Sequence, residues 1–202
     1  MLNLFLLLCT IESSSRRGYL YGRVKLQKLL FEAERRMTQL GVRALTYVFY
    51  RWKLGPWSLE ADWGLDWLKR NGLVDTDDQG IKVTATGRKL VKDAKEVLER
   101  NKEIVNIIDK VSEIHAIDTG KVMKALAYGI PAPSSGKLIE DVEKGEVVLQ
   151  PLDSSTASKL FLADDSWIET LELLLDKKSR ESIEEAMEDA RQGRIQPYRP
   201  VG

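Results

Sequence analysis

The side chains that could carry chemistry in this chain are few, and they stand apart. His115 is the single imidazole and Cys9 the single thiol, so a Cys/His zinc set and an internal disulfide both lack their partners. His115 ends an apolar seam, which points to packing or capping rather than to a general base. Cys9 closes the apolar run Leu2-Asn3-Leu4-Phe5-Leu6-Leu7-Leu8-Cys9 and reads as an inert core thiol. Asp141-Val142-Glu143-Lys144 holds the paired carboxylates a metal nuclease would use, but such a charge run is ordinarily a solvated face. Thr119-Gly120-Lys121 lacks the upstream glycines that let backbone N–H groups close on a phosphate. No catalytic residue, metal ligand or cofactor is expected, which turns the reading from catalysis to binding.

The elements that must position any binding surface are best marked between residues 55 and 88. Gly55-Pro56-Trp57-Ser58 opens a helix that runs to Arg70-Asn71-Gly72. Leu73-Val74 and Ile81-Lys82-Val83-Thr84 then alternate as short β-branched strands around the polar turn Thr76 to Gly80, and Gly87-Arg88 leads into a new helix. Helix, hairpin and helix in that order outline a winged helix, and a two-stranded ribbon of this size must lean on the helices around it. The expected fold class is mainly α with a small β wing: a winged helix-turn-helix domain plus a helical C-terminal appendage.

Upstream, Leu2 to about Ile11 should form a buried first helix rather than a targeting segment, since no basic residue precedes it and it falls short of the roughly 20 apolar residues of a membrane span. Ser13-Ser14-Ser15, Gly18 and Gly22 should break it. In the next helix Leu26, Leu29, Leu30, Ala33 and Met37 form the apolar stripe, with Arg23, Lys25, Lys28, Arg35 and Arg36 largely off it. Trp52, Trp57, Trp63 and Trp67 gather around Gly55-Pro56, where core packing is favoured over an exposed platform.

Downstream, Leu90, Ala94, Val97, Asn101, Ile104, Ile108, Val111 and His115 are spaced 4-3-4-3-4-3-4. A seam of that period predicts a long dimerisation helix over about 88–115, in which Asn101 would fix register. Val91, Leu98 and Val105 add a flanking row, so one side of the helix would pack on its own domain and the other on a partner. Residues 129–136, rich in Pro, Gly and Ser, read as a linker. They divide a winged-helix domain, 1–128, from a C-terminal tail, 137–202. The tail offers a short strand at Glu146 to Gln150 and two amphipathic helices. Trp167, Ile168, Leu171, Leu174, Ile183 and Met187 form an apolar anchor set for a partner, and Gly193 and Pro197 are stop signals. Two such helices must cover their faces on the chain's own body or on another protein.

The net charge of zero conceals a polarity: 20 Lys and Arg stand against 14 Asp and Glu in residues 1–110, and 11 against 17 in 111–202. The halves either address different partners or attract each other. For double-stranded DNA the candidate contacts are Arg23, Lys25, Lys28, Arg51, Lys53, Lys69, Arg70 and Lys82. Against base readout, the first turns of the would-be recognition helix carry Glu60, Asp62 and Asp66, which phosphates repel. A lone cysteine fits a reducing cytoplasm.

Lys25-Leu26-Gln27-Lys28-Leu29-Leu30-Phe31, followed some twenty-five residues later by Leu54-Gly55-Pro56, resembles the Panacea domain of prokaryotic antitoxins and phage-associated proteins over about residues 20–90. Beyond Tyr128 the chain departs from that pattern. Leu171 to Asp176, Ser182 to Ala186 and Asp189 to Ile195 in turn resemble the acidic toxin-binding tail of small antitoxins. The two resemblances imply a dimeric, non-enzymatic, cytoplasmic winged-helix regulator. It would be the antitoxin of a toxin–antitoxin pair, binding a toxin-like protein through its tail, with operator DNA as a further partner and no membrane association. The alternative is a stand-alone winged-helix transcription regulator whose tail completes the dimer.

Overall fold

In the computed structural model, which describes residues 1–18, 20–78 and 80–194, the apolar first helix becomes the axis of the core. Helix α1 (Leu2–Arg17) is buried continuously from Phe5 to Ser14 and is surrounded by most of the other long elements. It does not stop at the serines, because each hydroxyl finds a partner. Ser13 donates to Asp109 Oδ1 at 2.5 Å, Ser14 and Ser112 share a hydrogen bond of 3.0 Å, and Ser15 donates to the Ile11 carbonyl at 2.6 Å. Serine competes with helix only when its hydroxyl has nothing better to do.

Helix α2 (Gly22–Gln39) follows, then strands β1 (Val42–Arg43), β2 (Phe49–Trp52) and β3 (Gly55–Trp57). The helix–hairpin–helix outline is present: α3 (Leu59–Arg70), β4 (Val74–Asp77), β5 (Gly80–Val83) and α4 (Ala85–Asp93). Ser58 caps α3 by accepting from the Ala61 amide at 3.4 Å. The hairpin pairs Val74 with Val83 and Asp77 with Gly80, and β5 packs on α1. Gln79, within the expected turn, lies outside the described residues.

The seam from Leu90 to His115 is carried by three short helices in succession: α4, α5 (Lys95–Arg100) and α6 (Lys102–Ile114). Its side chains face inward. Leu90, Ala94, Val97, Asn101, Ile104, Ile108 and Val111 are all buried, with α6 against α1 and α2. The expected dimer seam is thus buried in the chain's own core, the alternative to a partner helix, and three helices carry it in place of one. Asn101 sets register within the chain, donating to the carbonyls of Val97 and Leu162 at 2.8 Å each and accepting from the Leu162 amide at 2.6 Å.

Residues 129–136 do not separate two bodies. After α7 (Gly120–Tyr128) the chain turns at Ala132, which is fully buried and bonded to the Lys137 carbonyl at 2.7 Å. A 3-10 turn (Ile139–Asp141) and strand β6 (Val147–Leu149) follow. Strand β6 pairs antiparallel with β2 to complete the sheet β3-β2-β6, and β7 (Lys159–Leu160) pairs parallel with β1. Proline and glycine mark where a chain turns, not whether it leaves the core. Residues 137–161 therefore belong with the N-terminal sheets, and two helices follow, α8 (Asp165–Leu175) and α9 (Lys177–Arg191), of which α8 packs on α1. Among the described residues no helix is long and apolar enough to cross a membrane. The tryptophan expectation fails in part: Trp52 is 45% and Trp63 65% exposed.

Candidate functional site

The cations that suggested a DNA surface on α2 instead fasten α2 to its neighbours: Arg23 to α3, Lys25 to the turn after α6 and Lys28 to β3. Arg23 spans Asp62, at 2.7 Å, and Asp66, and those hydrogen bonds raise its already high pKa. Lys25 is buried and donates to the Ala116 carbonyl at 2.8 Å. Gln27 forms a two-way bond with the Ser58 backbone, each arm 2.9 Å. Lys28 is buried, donates to the Pro56 carbonyl at 2.5 Å and lies 5.8 Å from the Trp57 ring centroid. Burial, aided by the nearby Lys124 charge, pushes the Lys28 ammonium down to about 7. Gly55, at φ 89°, is where a Cβ would come within 3.1 Å of Lys28 Cε. The lysine-glutamine-lysine motif and the glycine-proline motif thus touch each other, and that contact is structural.

Arg23, Lys25 and Lys28 are accordingly withdrawn as phosphate contacts, since buried or carboxylate-paired cations have no phosphate to meet. Lys82 forms an ion pair with Asp77 at 3.0 Å. Arg51 donates to the Ile139 carbonyl at 3.2 Å and stacks 4.9 Å from the Tyr128 ring centroid. Of the eight, Arg23 and Lys82 stand in ion pairs with carboxylates, and Arg51, Lys53, Lys69 and Arg70 form none within 4 Å among the described residues. The exposed residues of α3 are Leu59, Glu60, Trp63 and Arg70, the last three lining an open groove of about 530 Å³. A mixed-charge face with an exposed tryptophan suits protein better than a phosphate backbone.

The tail anchors divide into two groups. Leu171 and Leu175 are buried, while Trp167, Ile168 and Leu174 are half-buried. Trp167 meets Phe5 edge-on at 5.0 Å between centroids. Helix α8 therefore covers its face on α1, and Trp167, Leu171 and Leu174 already belong to the body. Helix α9 differs: none of its residues is buried, and Ile183 and Met187 are 39% and 52% exposed. Its base is nonetheless fixed. Asp176 accepts from the Ser179 amide and hydroxyl at 2.8 and 2.9 Å. Arg180 donates to the carbonyls of Leu174, Leu175 and Asn71, and the Lys177 amide to Asn71 Oδ1 at 2.9 Å. Asn71 as the tail's anchor was missed; nothing local to Arg70-Asn71-Gly72 signals a contact a hundred residues away. The tail positions Ile195 and Pro197 lie outside the described residues.

The residues with chemical potential are placed as follows. His115 Nδ1 is 2.7 Å from Asp118 Oδ2. Cys9 is buried, which drives its thiol pKa upward. No group of three or more His, Cys, Asp or Glu able to hold a metal occurs among the described residues. Glu34 was also missed: it is fully buried, and neither carboxylate oxygen has a hydrogen-bond partner among the described residues. Its signal was its spacing, four residues after Leu30 and three before Met37 on the apolar stripe. No family model, curated protein or solved structure matches this chain.

Proposed function

We propose that this protein is a regulator that works by capturing a partner protein on the exposed face of α9, in the manner of an antitoxin holding its toxin. One observation carries the reading: α9 is a 15-residue helix with no buried residue, held rigidly at its base. Such a helix offers Ile183 and Met187 as anchors within a polar surround, the arrangement of helix-in-groove recognition. Glu181, Glu184, Glu185, Glu188 and Asp189 follow one another along it, which suits a basic partner and speeds its capture. The contact between the two motifs shared with the Panacea pattern supports the family reading. Operator DNA has less to hold, because of the cations assigned to it Lys25 and Lys28 are buried and Arg23 and Lys82 are paired with carboxylates. The test is co-purification with the product of the neighbouring reading frame. Replacing Ile183 and Met187 together by Asp abolishes capture and leaves the thermal midpoint of the monomer unchanged; undiminished capture by that variant refutes the proposal.

A further inference from the structure

The flanking row of the heptad is not buried with the seam. Val91, Leu98 and Val105 are half-buried and line one side of a trough of about 590 Å³ between α1 and the α4–α6 run. Above them stand Lys95 and Lys102, again seven residues apart, with Lys92 beside them; all three are exposed and form no ion pair among the described residues. Two of the three acids on the trough wall are already engaged, and the third, Glu99, lies between Lys95 and Lys102 among the five cations Arg16, Arg88, Lys92, Lys95 and Lys102. Glu12 pairs with Arg16 and Asp109 with Arg17, both at 3.4 Å. The result is an apolar floor with a basic rim. From Val91 to Val105 it extends about 21 Å at the helical rise of 1.5 Å per residue.

Helix α9 has the complementary character. Its apolar row of Ile183, Ala186, Met187 and Ala190 is flanked by Glu184 and Glu188, one turn apart, and its 15 residues extend about 22 Å. Glu184 and Glu185 form no ion pair among the described residues. Within its own chain α9 is tied to Asn71 at the end of α3 by Lys177 and Arg180, and none of its residues lines the trough. We infer that the occupant of the trough is α9 of a second copy, and that two chains exchange these helices reciprocally around a two-fold axis. Each interface then buries one apolar row and sets the acidic flank of α9, led by the unpaired Glu184 and Glu185, against the basic rim of Lys92, Lys95 and Lys102, as charged flanks do in paired helices. The dimer uses the flanking row of α4–α6 and not the buried seam, and it covers the face that would otherwise hold a partner, so partner and second copy compete.

Charge exchange tests this on the full chain. In sedimentation at low salt the unaltered protein runs at twice the 22.9 kDa chain mass. Lys95→Glu with Lys102→Glu leaves trough and tail both acidic, and Glu184→Lys with Glu188→Lys leaves both basic; each variant alone loses the dimer. Mixed in equal amounts, each tail meets a trough of opposite charge, and the dimer returns, which also shows that both variants are folded. A monomeric unaltered protein, reversed variants that still dimerise, or a mixture that stays monomeric overturns the exchange. A monomer that still captures its partner refutes the exchange alone and leaves the proposed function standing.

Discussion

Glu34 sits at a cost to the fold: it is fully buried, unpartnered among the described residues, and pushed by burial up to about 8 against the opposing pull of Arg43. A carboxyl with a raised folded pKa favours the folded state fully at low pH. Between its ordinary value of 4.5 and about 8 the unfolded chain has released a proton that the folded chain keeps, so stability falls with rising pH by about 1.4 kcal/mol per unit. Lys28 acts in the opposite sense. Its folded value of about 7 lies below the ordinary 10.5, so between those values the unfolded chain holds the extra proton and stability rises with pH. Replacing Glu34 by Gln keeps the shape and removes the first slope. Thermal unfolding followed over pH should give nearly equal midpoints for variant and parent near pH 4, and a clear advantage for Glu34→Gln at pH 8. Equal midpoints at pH 8 would mean that Glu34 has a partner in solution.

At the scale of elements, local signals were reliable and partners were not. The hairpin, the Ser58 cap and the α3 boundaries follow from turn and capping chemistry that acts within a few residues. Gly87 shows how tightly that unit is closed: a Cβ there would lie 2.3 Å from the Leu73 carbonyl oxygen and 2.6 Å from Val83 Cγ1. Gly87→Ala should therefore destabilise by about 1–3 kcal/mol through overpacking, read as a drop in the urea midpoint at unchanged slope. The seam was legible as a period and illegible as a contact, since an apolar stripe states that it will be covered and not by what. Asn101 illustrates the point. Its amide serves the Leu162 backbone rather than a second helix, so Asn101→Leu should strand two Leu162 groups at roughly 1–3 kcal/mol each. An increase in stability, as expected for a polar residue removed from a dimer seam, would contradict this placement.

Across the whole molecule, the mainly helical class with small sheets could be read from the chain, while its division at 129–136 could not. The pairings that carry the chain back into the body, β6 on β2 and β7 on β1, are short and distant in sequence, and two- or three-residue strands leave no periodicity to read. The same limit applies to the tail, where two helices of similar amphipathicity have different fates. Helix α8 closes over Phe5 and α1, and α9 stands on the surface with its base tied to Asn71. The account rests on that division, and removal of residues 177–202 from the full chain examines it most directly, with thermal unfolding and partner capture measured on the same sample. Because α9 buries no side chain within its own chain, the midpoint measured at a dilution where parent and shortened chain are both monomeric should fall by less than about 5 °C, the effect of losing the Arg180 and Lys177 hydrogen bonds, while capture of the neighbouring gene's product disappears. A shortened chain that aggregates, or one that still captures the partner, would contradict the account.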